Sequence, residues 1–233
     1  MIRPLLALVL LGLPGAAHAA DKTFLVGSFT KVRVNGPFRV TITTGRSPGA
    51  RASGGLDALN ALTLQTDGDT LVVSMGAGNW TTDAGETVTP PAVTLTTPAL
   101  QSAMINAGAV LSVDAMKGQK VALALNGSGE LEVGDITADR LEARIVGTGR
   151  MTLAGTAQRA EVIVNGPGSV AAGNLVAGDL VARSDGPGTL DLAARYTVSV
   201  TTTGLGAVTV AGSASCTVHA YAGGPVRCGK QRD

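Results

Sequence analysis

The sequence is poor in charged and histidine side chains, and each shortage excludes a class of function. Charged residues make up 15% of the chain, well below the roughly 25% of an ordinary soluble domain, so disorder driven by charge excess is excluded. The formal net charge of +1 provides no general field to attract nucleic acid or an anionic membrane. Of the two histidines, only His219 lies beyond the N-terminal segment, which leaves little material for a Ser-His-acid site or a zinc site. We therefore expect no cofactor, no metal, no catalytic triad and no nucleic-acid partner.

Long hydrophobic runs are also missing, apart from a short one at the N-terminus that has the features of a secretory signal peptide. Arg3 precedes the apolar run 5–13, and Ala17, His18 and Ala19 follow as a small-residue cleavage pattern. The run is about half the ~20 residues that a membrane-spanning helix needs, so a retained membrane helix is the weaker interpretation. We predict cleavage after Ala19, and no cysteine lies near that site to carry a lipoprotein anchor. The mature chain is expected to be periplasmic or extracellular and to have no membrane span.

Cysteine is almost absent, because Cys216 and Cys228 are the only two in the chain. An exported protein enters an oxidising compartment, so we predict that these two residues form a disulfide. In the chain-entropy model, closing a loop of this length stabilises the folded state by roughly 3 kcal/mol. Free buried thiols or a metal site are the weaker interpretations.

Glycine, in contrast, is abundant, and much of it belongs to an internal repeat. The 32 glycines are about twice the usual ~7% share. Five Gly-x-Gly pairs begin at spacings of 20, 19, 20 and 18 residues, with a looser copy before them and another after them. Glycine adopts positive φ without steric cost and allows the backbone of an adjacent coil to approach closely. We therefore predict that the pairs are structural turns: Gly127 and Gly129, Gly147 and Gly149, Gly166 and Gly168, Gly186 and Gly188, Gly204 and Gly206.

The segments between these glycines alternate apolar with small or polar residues at a period of two, without helical periodicity. One repeat cannot bury its own apolar face, whereas stacked repeats form a continuous interior. The sequence therefore predicts an all-β fold, a right-handed parallel β-helix (β-solenoid) with coils of about 20 residues. An antiparallel sandwich is the alternative. A propeller is excluded, because its blades need roughly 40 residues each.

The mature chain, 20–233, is predicted to be a single domain in two parts. Residues 20–100 form an irregular N-terminal β region that caps the solenoid, and the turn sequence at 67–69 predicts a hairpin within it. Residues 101–228 form the regular coils.

The last coil is expected to be closed by the disulfide. When this coil is aligned on its predecessor, Cys216 takes the position of Val198, and Cys228 takes the position of Val210. Both cysteines, and also Val218, then point inward. The disulfide would cross-link the terminal coil through its interior and prevent it from fraying.

Three motifs in a fixed order cover most of the mature chain, roughly residues 29–210. They are Phe29-x-x-Val-x-Val-x-Gly-Pro-Phe-x-Val-Thr-Ile42, then Val93-Thr-Leu-Thr-Thr-Pro-Ala-Leu-Gln-Ser102, and then the Gly-x-Gly coils. This combination resembles the GIN domain, the head domain of putative auto-transporter adhesins, a family of exported bacterial proteins. The resemblance implies a right-handed β-helical fold and a cell-envelope or surface setting. It implies no established biochemical activity.

The acidic residues bear on enzymatic activity, since polysaccharide-cleaving β-helical enzymes use clustered carboxylates. They are spread over successive repeats, as solvated strand positions would be. Asp135 and Asp139 lie close in sequence, and Glu130 and Glu132 share one face of a strand. No catalytic residue is assigned from this pattern.

Trp80 is the candidate ligand contact, because an exposed indole in the polar segment 76–91 can stack on a sugar ring. Packing over the solenoid as a cap residue is the alternative for Trp80, and Tyr196 and Tyr221 are expected to pack at corners. We predict an exported, non-enzymatic cell-envelope or adhesin-head-like binding module, whose partner is an envelope glycan or a protein. The alternatives are a self-associating structural β-solenoid and a polysaccharide-active β-helix enzyme.

Overall fold

The computed structural model of the chain describes residues 20–76 and 89–229, and its main feature is a stack of parallel coils. Strands account for 71% of the residues and helix for 3%, and the stacked coils form a β-solenoid of about 6 turns. The predicted all-β solenoid is confirmed, and the antiparallel sandwich is excluded.

The described residues form sixteen strands and one short helix. In chain order these are β1 (Ala20–Phe24), β2 (Lys31–Asn35), β3 (Arg39–Thr44), β4 (Gly49–Gly54), α1 (Leu56–Ala61), β5 (Leu62–Asp67), β6 (Thr70–Met75), β7 (Ala92–Thr97), β8 (Ser102–Asn106), β9 (Val110–Gly127), β10 (Glu130–Gly147), β11 (Arg150–Asn165), β12 (Ser169–Asp185), β13 (Leu190–Thr202), β14 (Val208–Gly212), β15 (Ser215–Ala220) and β16 (Val226–Cys228).

Each of the long strands makes one coil with three faces. In β10 the alternation of buried and exposed residues is interrupted twice by two successive exposed residues, at 134–135 and at 139–140. These interruptions mark two corners, so that 130–133 lie on the first face, 135–138 on the second face and 140–147 on the third face. The Gly-x-Gly turn makes the last corner and leads into the next coil.

The coils stack in register, so that equivalent residues form columns along the solenoid. Ile145 of β10 lies beside Leu125 of β9 and Val164 of β11, and all three are buried. Adjacent strands in a sheet are about 4.8 Å apart, which sets the advance along the axis for each coil. The interior is therefore a continuous aliphatic column, as the alternating sequence pattern requires.

The Gly-x-Gly corners bring the backbones of successive coils into contact. Gly147 has a φ of +120°, and a Cβ on it would stand 2.6 Å from the carbonyl oxygen of Gly127. A Cβ on Gly149 would stand 2.7 Å from the carbonyl oxygen of Gly129. A side chain at either position would collide with the preceding coil, which explains why the glycine pairs recur once in each coil.

The N-terminal region continues the solenoid and covers its end. Strand β2 pairs in parallel with β6 and β8, and β3 pairs in parallel with β7 and β9, whereas β1, β4 and β7 pair antiparallel. Strands β5 and β6 form an antiparallel hairpin around the turn at 67–69. The helix α1 was not anticipated from the sequence. Its six residues are too few to show a helical period, and it is held by burial of Ala58 and Leu59.

The disulfide between Cys216 and Cys228 closes the last coil, with the two Cα atoms 6.3 Å apart. Cys216 pairs with Val198 of the preceding coil, and Cys228 pairs with Val210. Both cysteines are half-buried against the core. Val218 pairs in register with the buried Val200, as its expected inward orientation requires, but its side chain is 42% exposed. It lies on the terminal coil, where no further coil of the described chain covers it.

The interior contains one buried side-chain oxygen without a hydrogen-bond partner among the described residues, the hydroxyl of Ser184. Ser184 occupies an inward position between Val164 and Thr202 in the neighbouring coils. Burying a hydroxyl without a partner costs roughly 1–3 kcal/mol. We expect Ser184→Ala to raise the free energy of unfolding by about 1 kcal/mol, measured by urea denaturation. Ser199→Ala, on a partly exposed strand position, is the control and should change stability little. A loss of stability in Ser184→Ala would contradict this account.

Candidate functional site

An open groove of about 910 Å³ runs along the corner between the second and third faces. It crosses five successive coils, from β9 to β13, and therefore follows the long axis of the solenoid. Its lining comes from the same corner of each coil: Lys117, Gly118 and Gln119, then Thr137, Ala138 and Asp139, then Thr156, Ala157, Gln158 and Arg159, then Val176, Ala177, Gly178 and Asp179, and finally Arg195 and Tyr196.

Small residues at this corner explain why the surface is concave. The residues at the bottom of the groove stack in register and have at most one side-chain carbon each: Gly118, Ala138, Ala157, Ala177 and Ala194. The four alanines are buried. Because these inward side chains are small, the backbone of each coil can lie close to the solenoid axis at this corner. The surface is therefore concave there. The spacing of these small residues, close to the period of the glycine pairs, was a sequence signal for the groove.

Each coil contributes one charged side chain to the groove, and the sign alternates from coil to coil. In order along the axis the charged lining residues are Lys117, Asp139, Arg159, Asp179 and Arg195. The lining therefore carries charges of both signs in successive coils, at neighbouring rather than identical register positions, and is neither a basic nor an acidic patch.

Three of these charged groups are already engaged by neighbouring side chains. The Nζ of Lys117 lies 3.6 Å from a carboxylate oxygen of Asp135. Asp139 accepts a hydrogen bond of 2.8 Å from the amide of Gln158. Asp179 accepts one of 2.6 Å from the hydroxyl of Thr197. The two groove carboxylates are thus held by neutral donors.

The two arginines of the groove are unengaged. Within residues 20–76 and 89–229, neither the Arg159 nor the Arg195 guanidinium makes an ion pair or a side-chain hydrogen bond, and both residues are exposed. An unpaired guanidinium provides a rigid fork of donors that matches a carboxylate. These two groups are therefore free to bind an anionic ligand.

A β-bulge places Arg195 and Tyr196 together at the groove. Ala177 pairs with Ala194 and Asp179 pairs with Thr197, so Gly178 alone lies opposite two residues of β13. A bulge of this kind inserts a residue and redirects side chains. The extra residue gives the fifth coil both a cation and an aromatic ring at the end of the groove.

Tyr196 rests on the backbone of the preceding coil and leaves most of its ring accessible. A Cβ on Gly178 would stand 3.5 Å from Cδ2 of the Tyr196 ring and 2.5 Å from the carbonyl oxygen of Gln158. Tyr196 is 61% exposed, and Tyr221, outside the groove, is 77% exposed. Both rings are mostly exposed, so neither is buried at a corner as expected, although Tyr196 contacts Gly178 at the groove corner.

The other sites considered from the sequence lie elsewhere. Trp80 falls outside the described residues. His219 is exposed on the last coil. Glu130 and Glu132 point outward from the first face, and Asp139 is the member of the acidic pairs that lines the groove. The glycine pairs form the opposite corner and do not line the groove.

Asp69, at the turn before β6, has a pKa that is lowered from its usual value. The main cause is the hydrogen bond from Lys31, whose Nζ lies 3.1 Å from the carboxylate, and the hydroxyl of Thr30 contributes. Both side chains of the ion pair are about half exposed. This ion pair lies at the hairpin turn in the N-terminal region and does not line the groove.

The part of the chain that the structure describes shows no metal site. Within it, no group of three or more His, Cys, Asp or Glu side chains is placed to hold a metal ion. Among the same residues, no helix is long and apolar enough to cross a membrane.

The stacked coils and the long open groove define the chain as a β-solenoid with an extended surface site. The family model described as "Putative auto-transporter adhesin, head GIN domain" matches residues 28–214, and the chain belongs to this family. The resemblance inferred from the sequence motifs is thereby confirmed. None of the curated proteins matches the chain.

Solved structures from Bacteroides and Parabacteroides species share the fold at low sequence identity. A putative adhesin from Bacteroides fragilis is 20% identical, with a TM-score of 0.82 over 93% of this chain and 100% of that one. A putative adhesin from Parabacteroides merdae is 17% identical, with a TM-score of 0.72 over 93% and 98% of the two chains. A putative lipid binding protein from Parabacteroides distasonis is 14% identical, with a TM-score of 0.71 over 93% and 98%. At these identities the likeness shows the fold alone.

Proposed function

We propose that this protein is an exported, non-enzymatic binding module of the cell envelope, comparable to an adhesin head, which holds an extended ligand in the corner groove. Membership of an adhesin family supports a binding role. The single observation that carries the proposal is the groove itself, which is open along its length and crosses five coils. A site of this shape suits a chain-like ligand that lies along the solenoid.

The polar groups of the groove suit binding more than catalysis. Its two carboxylates, Asp139 and Asp179, accept hydrogen bonds from neutral side chains, and Asp139 is exposed. A glycosidase needs one carboxyl group held protonated, which usually requires burial in an apolar pocket. His219 lies on the last coil and does not line the groove. We therefore assign these side chains to recognition.

Export is the second part of the proposal. Residues 1–19 have the sequence pattern of a cleaved signal peptide, with cleavage after Ala19. The Cys216–Cys228 disulfide agrees with an oxidising compartment such as the periplasm or the extracellular space. The cell surface and the periplasm are both compatible with these features.

The experiment that tests the proposal is a binding assay with the oxidised chain from Ala20 onward. Peptidoglycan, lipopolysaccharide and whole-cell envelope glycans are the immobilised probes. We expect saturable binding that Tyr196→Ala weakens about tenfold, because an aromatic contact contributes on the order of 0.5–1.5 kcal/mol beyond the area it buries. Tyr221→Ala is the matched control, since it removes an equally exposed tyrosine outside the groove and should leave binding unchanged.

Further arms of the same assay address the alternatives. Trp80→Ala tests the hypothesis that this indole contacts the ligand. Release of new reducing ends from the bound glycan would support the polysaccharide-active alternative, and ligand-independent filaments would support the structural one. Equal binding by the unsubstituted chain and Tyr196→Ala would remove the groove from the proposal.

A further inference from the structure

The alternation of charge along the groove carries a more specific conclusion, which rests on the proposed function. We propose that the ligand is a linear glycan in which a carboxylate-bearing sugar alternates with an uncharged sugar. The ligand lies along the groove, with its carboxylates on Arg159 and Arg195 and its uncharged sugars over the coils that carry Asp139 and Asp179.

The coil repeat of the groove matches the repeat of a sugar chain. Successive coils advance by about 4.8 Å. This distance is close to the advance per residue of an extended, β-linked polysaccharide. Each sugar of such a chain therefore meets one coil, and the five coils of the groove meet five consecutive sugars.

The two unengaged cations, Arg159 and Arg195, have a spacing that matches alternate sugars. Arg159 is paired in register with Asp179, which lies one coil before Arg195. The arginines are thus two coils apart, or about 10 Å along the axis. In an extended glycan, this distance separates two sugars that have one other sugar between them. Two carboxylates at that spacing meet both guanidinium groups at once.

The coils that carry Asp139 and Asp179 favour an uncharged sugar. A carboxylate on every sugar would place an anion beside Asp139 and beside Asp179, and like charges in contact are unfavourable. Each aspartate accepts one hydrogen bond from protein, and a carboxylate offers about four acceptor positions in total. Both can therefore accept further hydrogen bonds from sugar hydroxyls, which suits an uncharged sugar.

Tyr196 provides an aromatic platform at one end of the groove. Tyr196 belongs to the same coil as Arg195, and its hydroxyl makes no hydrogen bond within the described ranges, so its ring face and its hydroxyl are both available. An amphipathic ring of this kind binds the apolar face of a pyranose and a hydroxyl group together. It would hold the sugar whose carboxylate Arg195 binds.

The charge pattern disfavours two other classes of ligand. A lipid chain requires an apolar, enclosed cavity, whereas every coil of this groove carries a charge. A nucleic acid presents a phosphate on each nucleotide, so some of its phosphates would lie beside Asp139 and Asp179.

The test uses three oligosaccharide series of equal length and the oxidised chain from Ala20 onward, with isothermal titration calorimetry as the measurement. Hyaluronan oligosaccharides carry a carboxylate on alternate sugars, oligogalacturonates carry one on every sugar, and chitin oligosaccharides carry none. We expect hyaluronan to bind at least about tenfold more tightly than either of the other two, the difference expected for one charge-assisted hydrogen bond. Its affinity should fall as salt is raised from 0.05 to 0.5 M, since exposed charges are screened.

Substitutions identify the groups responsible. Arg159→Gln and Arg195→Gln should each weaken hyaluronan binding about tenfold, whereas Arg183→Gln, an exposed arginine of β12 outside the groove, should not. The double variant Asp139→Asn with Asp179→Asn should narrow the preference for hyaluronan over oligogalacturonate, because it removes the repulsion. These residues lie at the surface, so unchanged melting temperatures are expected and would verify folding.

The outcomes separate the two proposals. Equal affinity for hyaluronan and chitin oligosaccharides would overturn the charged-glycan inference, and so would hyaluronan binding that neither arginine substitution changes. If none of the three series binds while Tyr196→Ala still abolishes binding to envelope glycans, the inference fails and the proposed function stands. If Tyr196→Ala, Arg159→Gln and Arg195→Gln all leave binding to every probe unchanged, the groove is not the binding site and both proposals fail.

Discussion

Gly147→Ala is expected to lower the free energy of unfolding by about 3 kcal/mol, because alanine is strained at a φ of +120° and its Cβ would stand 2.6 Å from the carbonyl oxygen of Gly127. The collision is with backbone and not with a flexible side chain, so it cannot be relieved by a rotamer change. Either the coil spacing increases locally or the hydrogen bonds on both sides distort. For a domain of this size the melting temperature should fall by roughly 6–12 °C.

Gly27→Ala is the control for this substitution. A Cβ on Gly27 would have its nearest neighbour 3.9 Å away, at ordinary contact distance. Its stability should lie within about 0.5 kcal/mol of the unsubstituted chain, as for most surface substitutions. Urea denaturation followed by circular dichroism measures both. If Gly147→Ala and Gly27→Ala were equally stable, the close approach of the coils at this corner would be refuted.

Loss of the disulfide is expected to have the second large effect, and the effect should be confined to one end of the molecule. The loop between Cys216 and Cys228 spans 12 residues, for which the chain-entropy model gives about 3 kcal/mol. In a solenoid each coil contacts only its neighbours, so a weakened last coil opens without the rest. The double substitution Cys216→Ser with Cys228→Ser should therefore free the terminal strands β14 to β16.

Amide hydrogen exchange resolves this prediction by position. In the double variant, protection should fall by roughly two orders of magnitude over residues 208–228, the factor that corresponds to about 3 kcal/mol, and should remain unchanged in β10 and β11. Reducing agent should reproduce the effect in the unsubstituted chain and have none on the double variant. A uniform loss of protection along the whole solenoid would mean that the disulfide stabilises the fold globally and not at its end.

Repetition is the reason that so much of the fold could be predicted from the sequence. The Gly-x-Gly pairs fix the phase of every coil, and a fixed phase determines which residues stack. The alignment of Cys216 with Val198 therefore coincides with the observed register. The helix α1 could not be predicted in this way, since a six-residue element outside the repeat has no period to detect.

The groove was harder to foresee than the fold. Its alanines recur at nearly the same interval as the glycines, but alanine is common and is equally compatible with any inward position. Recognising a corner requires knowing where two successive residues point outward, and that depends on how the chain bends. Tyr196 is the clearest case, because its place at the groove depends on a bulge of one residue opposite Gly178. A small shift in register between two strands is not visible in a period of about 20 residues.

Because the coils stack in register, the length of the groove is set by the number of coils. Each coil adds one step of about 4.8 Å to the groove, together with one charge, and leaves the geometry of the others intact. Insertion or loss of a single repeat would thus change the length of the groove by one coil and reverse the charge order beyond that point. A gain or loss of two repeats would preserve the order and change the length alone. Duplication of coils in pairs would consequently change the length of the groove and keep the order of its charges.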